Sequence, residues 1–141
     1  MRQATIGVLA LGTLLWVAGA ELRAHHAVQA AFDQDDHVTL TGVLTKVLWI
    51  NPHVRWFLDV KDASGKVTTW TISGAGPGGF RDIGISGRDV FKTGETYTAI
   101  AARARDGSPN GYILTFVLPD GRKIDLWHQY KSESAATAGE K

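Results

Sequence analysis

The chain contains no cysteine. Disulfide scaffolds, thiolate nucleophiles and cysteine-type zinc centres are therefore excluded. It also has almost no net charge: 15 Lys plus Arg stand against 14 Asp plus Glu. Arg2, Arg23 and Glu21 all fall within residues 1–24, and without them the balance is 13 against 13. A neutral chain lacks the electrostatic footprint of a protein that binds nucleic acid or an anionic membrane surface. Hydrolase signatures are missing too. There is no G-x-S-x-G and no H-E-x-x-H, and Ser86 lies in Gly84-Ile85-Ser86-Gly87, without the spacing of a nucleophile elbow.

Long apolar runs are scarce. Ile6 to Ala20 is uncharged and largely apolar, but shorter than the roughly 20 residues of a spanning helix. It follows Arg2 and ends in Ala18-Gly19-Ala20, small residues at −3 and −1. That is the layout of a secretory signal peptide, with cleavage expected after Ala20 or after Ala24. Residues 1–24 are thus read as a signal peptide, 25–130 as one domain and 131–141 as a polar, disordered tail. The protein is expected to be periplasmic or secreted, with no membrane span after cleavage.

What the chain does have is hydrophobic content, 44% of 141 residues, enough for a core. It is arranged as strands. Val38 to Ile50 reads as a long first strand, with Gly42 marking a bulge or bend. After Asn51-Pro52, the residues Val54, Trp56, Leu58 and Val60 alternate with more polar neighbours. This predicts a strand with one apolar face. Asp62-Ala63-Ser64-Gly65 predicts a hairpin turn into a third strand, Lys66 to Ser73. Gly74 to Gly79 reads as a break and Phe80 to Phe91 as a short helical insert cut by Gly84 and Gly87. Further strands are expected at Thr96 to Arg105, Tyr112 to Leu118 and Lys123 to Trp127. The fold class is all-β with small α content. The order suits a small, closed or partly open OB-like barrel with a short helical insert between strands 3 and 4, and an open sandwich is the rival.

Several segments together resemble a known family. They are His25-His26, Phe32-Asp33, Val38-Thr39-Leu40-Thr41-Gly42, Trp49-Ile50-Asn51-Pro52-His53, Lys92-Thr93-Gly94 and Asp120-Gly121-Arg122-Lys123. The family is one of uncharacterised exported bacterial proteins, domain of unknown function 6152. Its members usually carry serine after the two histidines, where this chain has Ala27. The segment Val38 to Asp62 is more loosely similar to exported bacterial OB-fold proteins. The resemblance implies export and a β-barrel-like fold, and it brings no established activity.

Gly74-Ala75-Gly76-Pro77-Gly78-Gly79 matches G-x-G-x-x-G. A dinucleotide site needs that motif inside a parallel βαβ unit, which this strand order does not offer. Asp33-Gln34-Asp35-Asp36-His37 has Val38 and Leu44 where a calcium loop needs Gly and Glu. It reads as a solvated entry to the first strand. Trp49, Trp56, Trp70, Tyr112 and Trp127 read mainly as core and rim packing.

Two constellations remain. Trp49, Asn51, His53 and Arg55 surround a corner between two long strands and form a candidate ligand-binding set. His53 and Arg55 fall on one face. His25 and His26 stand at or near the mature terminus, and with His53 they form a candidate metal set. Imidazoles without thiolates favour copper among the divalent late metals. Adjacent His25 and His26 can share an ion only if the backbone turns there, and a free amine at His25 would add a ligand. The leading expectation is a binding domain for a small ligand, a metal ion or an envelope protein. The alternative is a copper-dependent enzyme built on the N-terminal histidines, and no catalytic residue is assigned.

Overall fold

A computed structural model describes residue 28, residues 30–85 and residues 88–126. The expected signal peptide and its cleavage sites, His25, His26, Ser86, Trp127 and the C-terminal tail lie outside the described residues.

The framework is a six-stranded sheet in the order β3-β2-β1-β4-β5-β6. The strands are β1 (Phe32–Leu48), β2 (Arg55–Lys61), β3 (Val67–Ser73), β4 (Thr96–Ala104), β5 (Asn110–Val117) and β6 (Lys123–Asp125). Neighbours in that order pair antiparallel. The ring closes where Thr71, Ile72 and Ser73 of β3 pair in parallel with Asn110, Gly111 and Tyr112 of β5. The result is the expected small OB-like barrel. A short helix, α1 (Pro77–Asp82), and a 3₁₀ turn at Arg88–Val90 fill the connection from β3 to β4.

β1 makes the closure possible because it serves two partners. Its residues Phe32 to Val43 pair with β4, and Val43 to Leu48 pair with β2. The register on β2 shifts between Leu44 and Lys46, where the strand passes from one partner to the other. The irregularity expected at Gly42 therefore falls slightly later. Gly42 serves a different need: a Cβ there would stand 2.7 Å from the Asp59 carbonyl oxygen, so only glycine allows the two strands this approach. β1 also starts earlier than the sequence suggests. Asp33 to Asp36 belongs to the strand, with a second register shift between Asp33 and His37. Arg105 and Arg103 of the β4 side hold Asp33 and Asp36 by ion pairs, each at 3.1 Å.

The alternation read in β2 sets the core. Val54, Trp56 and Leu58 are fully buried, and Val60 packs at the margin. Their faces meet Leu44, Ile72, Tyr97, Ile113 and Phe116 from the other strands and Phe80 from α1. Trp56 is the hub, with ring centroids of Phe80, Phe91 and Phe116 at 5.5, 5.2 and 5.0 Å. Such tilted and edge-on contacts suit aromatic quadrupoles. At the β2–β3 hairpin the Asp62 carboxylate accepts the Ser64 and Lys66 N–H groups and the Ser64 hydroxyl. Gly65 supplies the positive φ of 88° that the turn needs.

The helix begins at Pro77, inside the stretch read from sequence as a break. Proline at the first helical position loses no hydrogen bond, because that N–H has no helical partner. The preceding glycines answer to packing. A Cβ on Gly74 would meet Ile113 Cγ2 at 2.8 Å and the Trp56 ring at 2.9 Å, and one on Gly76 would meet the Pro52 carbonyl oxygen at 2.8 Å. The G-x-G-x-x-G match is thus a tight crossing of two chain segments beside an antiparallel strand pair.

Candidate functional site

The corner between β1 and β2 lies against the stretch that follows β3. The Asn51-Pro52 peptide is cis. The Val54 N–H donates to the Ala75 carbonyl at 3.1 Å, and the Gly74 N–H donates to the Val54 carbonyl at 3.0 Å. These bonds extend the β2–β3 ladder past its formal end. His53 sits in this extension, half-buried. Its Nδ1 lies 3.0 Å from the Gly74 carbonyl oxygen. A carbonyl only accepts, so Nδ1 carries a proton, and in the neutral ring Nε2 presents its lone pair. The ring meets Tyr112 edge-on, with centroids 6.2 Å apart.

Tyr112 also meets the start of β1. The Phe32 ring lies 5.8 Å from it. The Arg105 N–H donates to the Ala31 carbonyl at 2.9 Å, which carries the β1–β4 pairing back toward the N-terminus. His53 and Phe32, the first residue of β1, therefore meet the same ring. Ala30 lines the cleft beside it.

That cleft follows the seam where β3 meets β5 and holds about 400 Å³. Arg55, Thr71 and Ser73 form one wall, and Arg105, Ser108 and Asn110 are among the residues of the other. Arg55 stands directly opposite Ser73 in the β2–β3 ladder, so both project outward while Trp56 and Ile72 point into the core. Asp106 is also at the rim. Its carboxyl is held below the usual carboxylate range by hydrogen bonds from the Ser108 hydroxyl and N–H.

Trp49 is not part of this cleft. It packs on Phe80 and Phe91 at 5.2 and 6.4 Å. With Val47, Asp89, Lys92 and Thr93 it lines a separate depression of about 420 Å³. Asn51 is exposed at the corner, with its Oδ1 near Gly76. Of the four residues grouped from sequence, Arg55 lines the seam cleft, His53 packs on Tyr112, and Trp49 lines the other depression. Tyr112, Phe32, Thr71 and Ser73 join the site without having been singled out as its members. Thr71 and Ser73 come to Arg55 through the β2–β3 hairpin, and the β3–β5 closure, a non-local pairing, adds Tyr112.

Residues 14–113 match the model of a family of unknown function, DUF6152. The chain belongs to this family. No curated protein is similar enough to the chain to count as a match. The matched stretch of this DUF6152 chain runs from within the expected signal peptide to the middle of β5. It takes in His25, His26, the Asn51-Pro52 corner and Tyr112. Among the described residues, no group of three or more His, Asp or Glu side chains is placed to hold a metal ion. No described helix is long and apolar enough to cross a membrane.

Proposed function

We propose that this DUF6152 protein is an exported binding module, periplasmic or secreted, and that its ligand is a late transition metal, copper before others. His53 is the anchoring donor and His25 and His26 complete the set from the N-terminal segment. The observation that carries the reading is the hydrogen bond from His53 Nδ1 to the Gly74 carbonyl. A backbone acceptor on one ring nitrogen is the usual outer-shell support of a metal-bound histidine. It fixes the tautomer and the ring plane and raises the basicity of the other nitrogen. Support also comes from Phe32, seven and six residues after His25 and His26, whose ring lies against the same Tyr112 ring that His53 meets. Nitrogen donors without sulfur place Cu(II) at the top of the divalent series.

The test is Cu(II) titration of protein exported under its own leader, read by native mass spectrometry, beside His25→Ala and His53→Ala variants. The same spectra report the mature N-terminus. Wild type should take one copper, and each variant should bind it at least about tenfold more weakly. Equal affinity in all three would sink the site. Weakening confined to His25→Ala would leave a terminal chelate and remove His53 from it. An intact Met1 on membrane-embedded protein would overturn export.

A further inference from the structure

The seam cleft contains a cation whose charge is not used within the described fold. Arg105 donates from Nη1 to Asp33 Oδ2 at 3.1 Å, and Arg103 pairs with Asp36 at the same distance. Arg55 has neither an ion pair nor a side-chain hydrogen bond among the described residues. Facing it across the ladder are the hydroxyls of Ser73 and, two residues back, Thr71. Neither hydroxyl has a hydrogen-bond partner among the described residues. Elsewhere in the same cleft polar side chains are satisfied locally. Asn110 Nδ2 donates to Ser108 Oγ at 2.7 Å, and Ser108 donates to Asp106. The unused hydrogen-bonding capacity is thus concentrated on one wall: a guanidinium fork with two hydroxyl groups beside it.

We infer that Arg55, Ser73 and Thr71 form a binding site for the carboxylate of a small organic acid. A planar guanidinium presents parallel N–H groups at the spacing of two carboxylate oxygens. The hydroxyls can donate to the same oxygens from the side. A carboxylate places a single charge at the fork, and the second carboxylate of a short diacid stands several bonds away, whereas a phosphate dianion concentrates two charges beside the Asp106 carboxylate at the rim. This site does not depend on copper and is tested on metal-free protein.

Succinate and, separately, inorganic phosphate are titrated into metal-free wild type in low salt with chelator present. Backbone amide shifts are followed by NMR. Succinate should move the amides of Arg55, Thr71 and Ser73 in a saturable way and bind at least about tenfold more tightly than phosphate. Arg55→Ala should lose the binding about tenfold or more, and Arg55→Lys should fail to restore it, because a single ammonium lacks the fork. Lys61→Ala, at the far end of the same strand, should bind as wild type does. Unchanged succinate affinity in Arg55→Ala, with the variant folded by its amide spectrum, would overturn the site. So would shifts that spare Thr71 and Ser73. Phosphate binding as well as succinate would overturn the carboxylate assignment.

Discussion

The two depressions on this barrel have similar volumes and different foundations. The one beside Trp49 is an outcrop of the core: Phe91 is 5% exposed, lines it, and stacks on Trp56, Tyr97 and Phe116. The seam cleft is walled by side chains that the core does not need. Arg55, Thr71 and Ser73 point away from it, and the sheet beneath them is completed by Trp56 and Ile72. Aromatic rings at a surface depression can thus be there for folding, while a polar cleft over a finished sheet is free to be shaped by a ligand. That contrast directs the search for function to the seam rather than to the tryptophan.

The largest expected effect tests that contrast directly. Phe91→Ala removes a ring shared by the depression and the core and should cost about 3–5 kcal/mol. Arg55→Ala should change stability by no more than about 0.5 kcal/mol. Urea denaturation of the two variants measures both. A cost for Arg55→Ala near that of Phe91→Ala would mean that the seam wall is structural after all.

Gly74→Ala comes next. The new Cβ would collide with Ile113 and Trp56 in a crowded core and should cost about 1–3 kcal/mol. Any backbone shift that relieves the clash also moves the carbonyl that holds His53. Copper affinity should therefore fall in this variant although no proposed ligand is altered. Lost stability with unchanged copper binding would separate the Gly74 carbonyl from the metal site.

What was legible in the sequence follows the same division. Within one uninterrupted strand, alternation phases every side chain, so the buried face of β2, with Trp56 and Leu58, could be read directly. Asn51-Pro52 resets that phase, and for this reason Trp49 and Arg55 looked like neighbours around a corner yet belong to different depressions. The early start of β1 was hidden because its acidic residues resemble a loop. Their place in the strand depends on Arg103 and Arg105, far along the chain. The β3–β5 pairing leaves no local trace at all, because a strand's own pattern does not name its partner. That pairing sets Tyr112 beside Ser73.

The smallest expected effect concerns pH, and it sets the two regions apart by sign. Tyr97 packs against Phe91 and is 1% exposed, and burial pushes its phenol up. A group with a raised folded pKa contributes stability below its unfolded value and loses it as pH rises toward the folded one. The core side should therefore weaken above about pH 10, the ordinary phenol value. At the seam rim the Ser108 hydroxyl holds Asp106 low. Its contribution is present above the ordinary carboxylate value and is lost as pH falls through the lower folded one. Asp62 and Asp120 are held low in the same way by their own turns, so removing Asp106 alone leaves most of the acid limb in place. The informative quantity is the difference in Tm between wild type and Asp106→Asn. It should be small and in favour of wild type near pH 7 and should shrink as pH falls below the ordinary carboxylate value toward the lower folded one. Tyr97→Phe should instead flatten the alkaline limb, on top of a pH-independent loss from the Lys92 N–H left without its acceptor. A constant Asp106→Asn difference across the acid range would mean that the turn depends on the shape of the side chain and not on its charge.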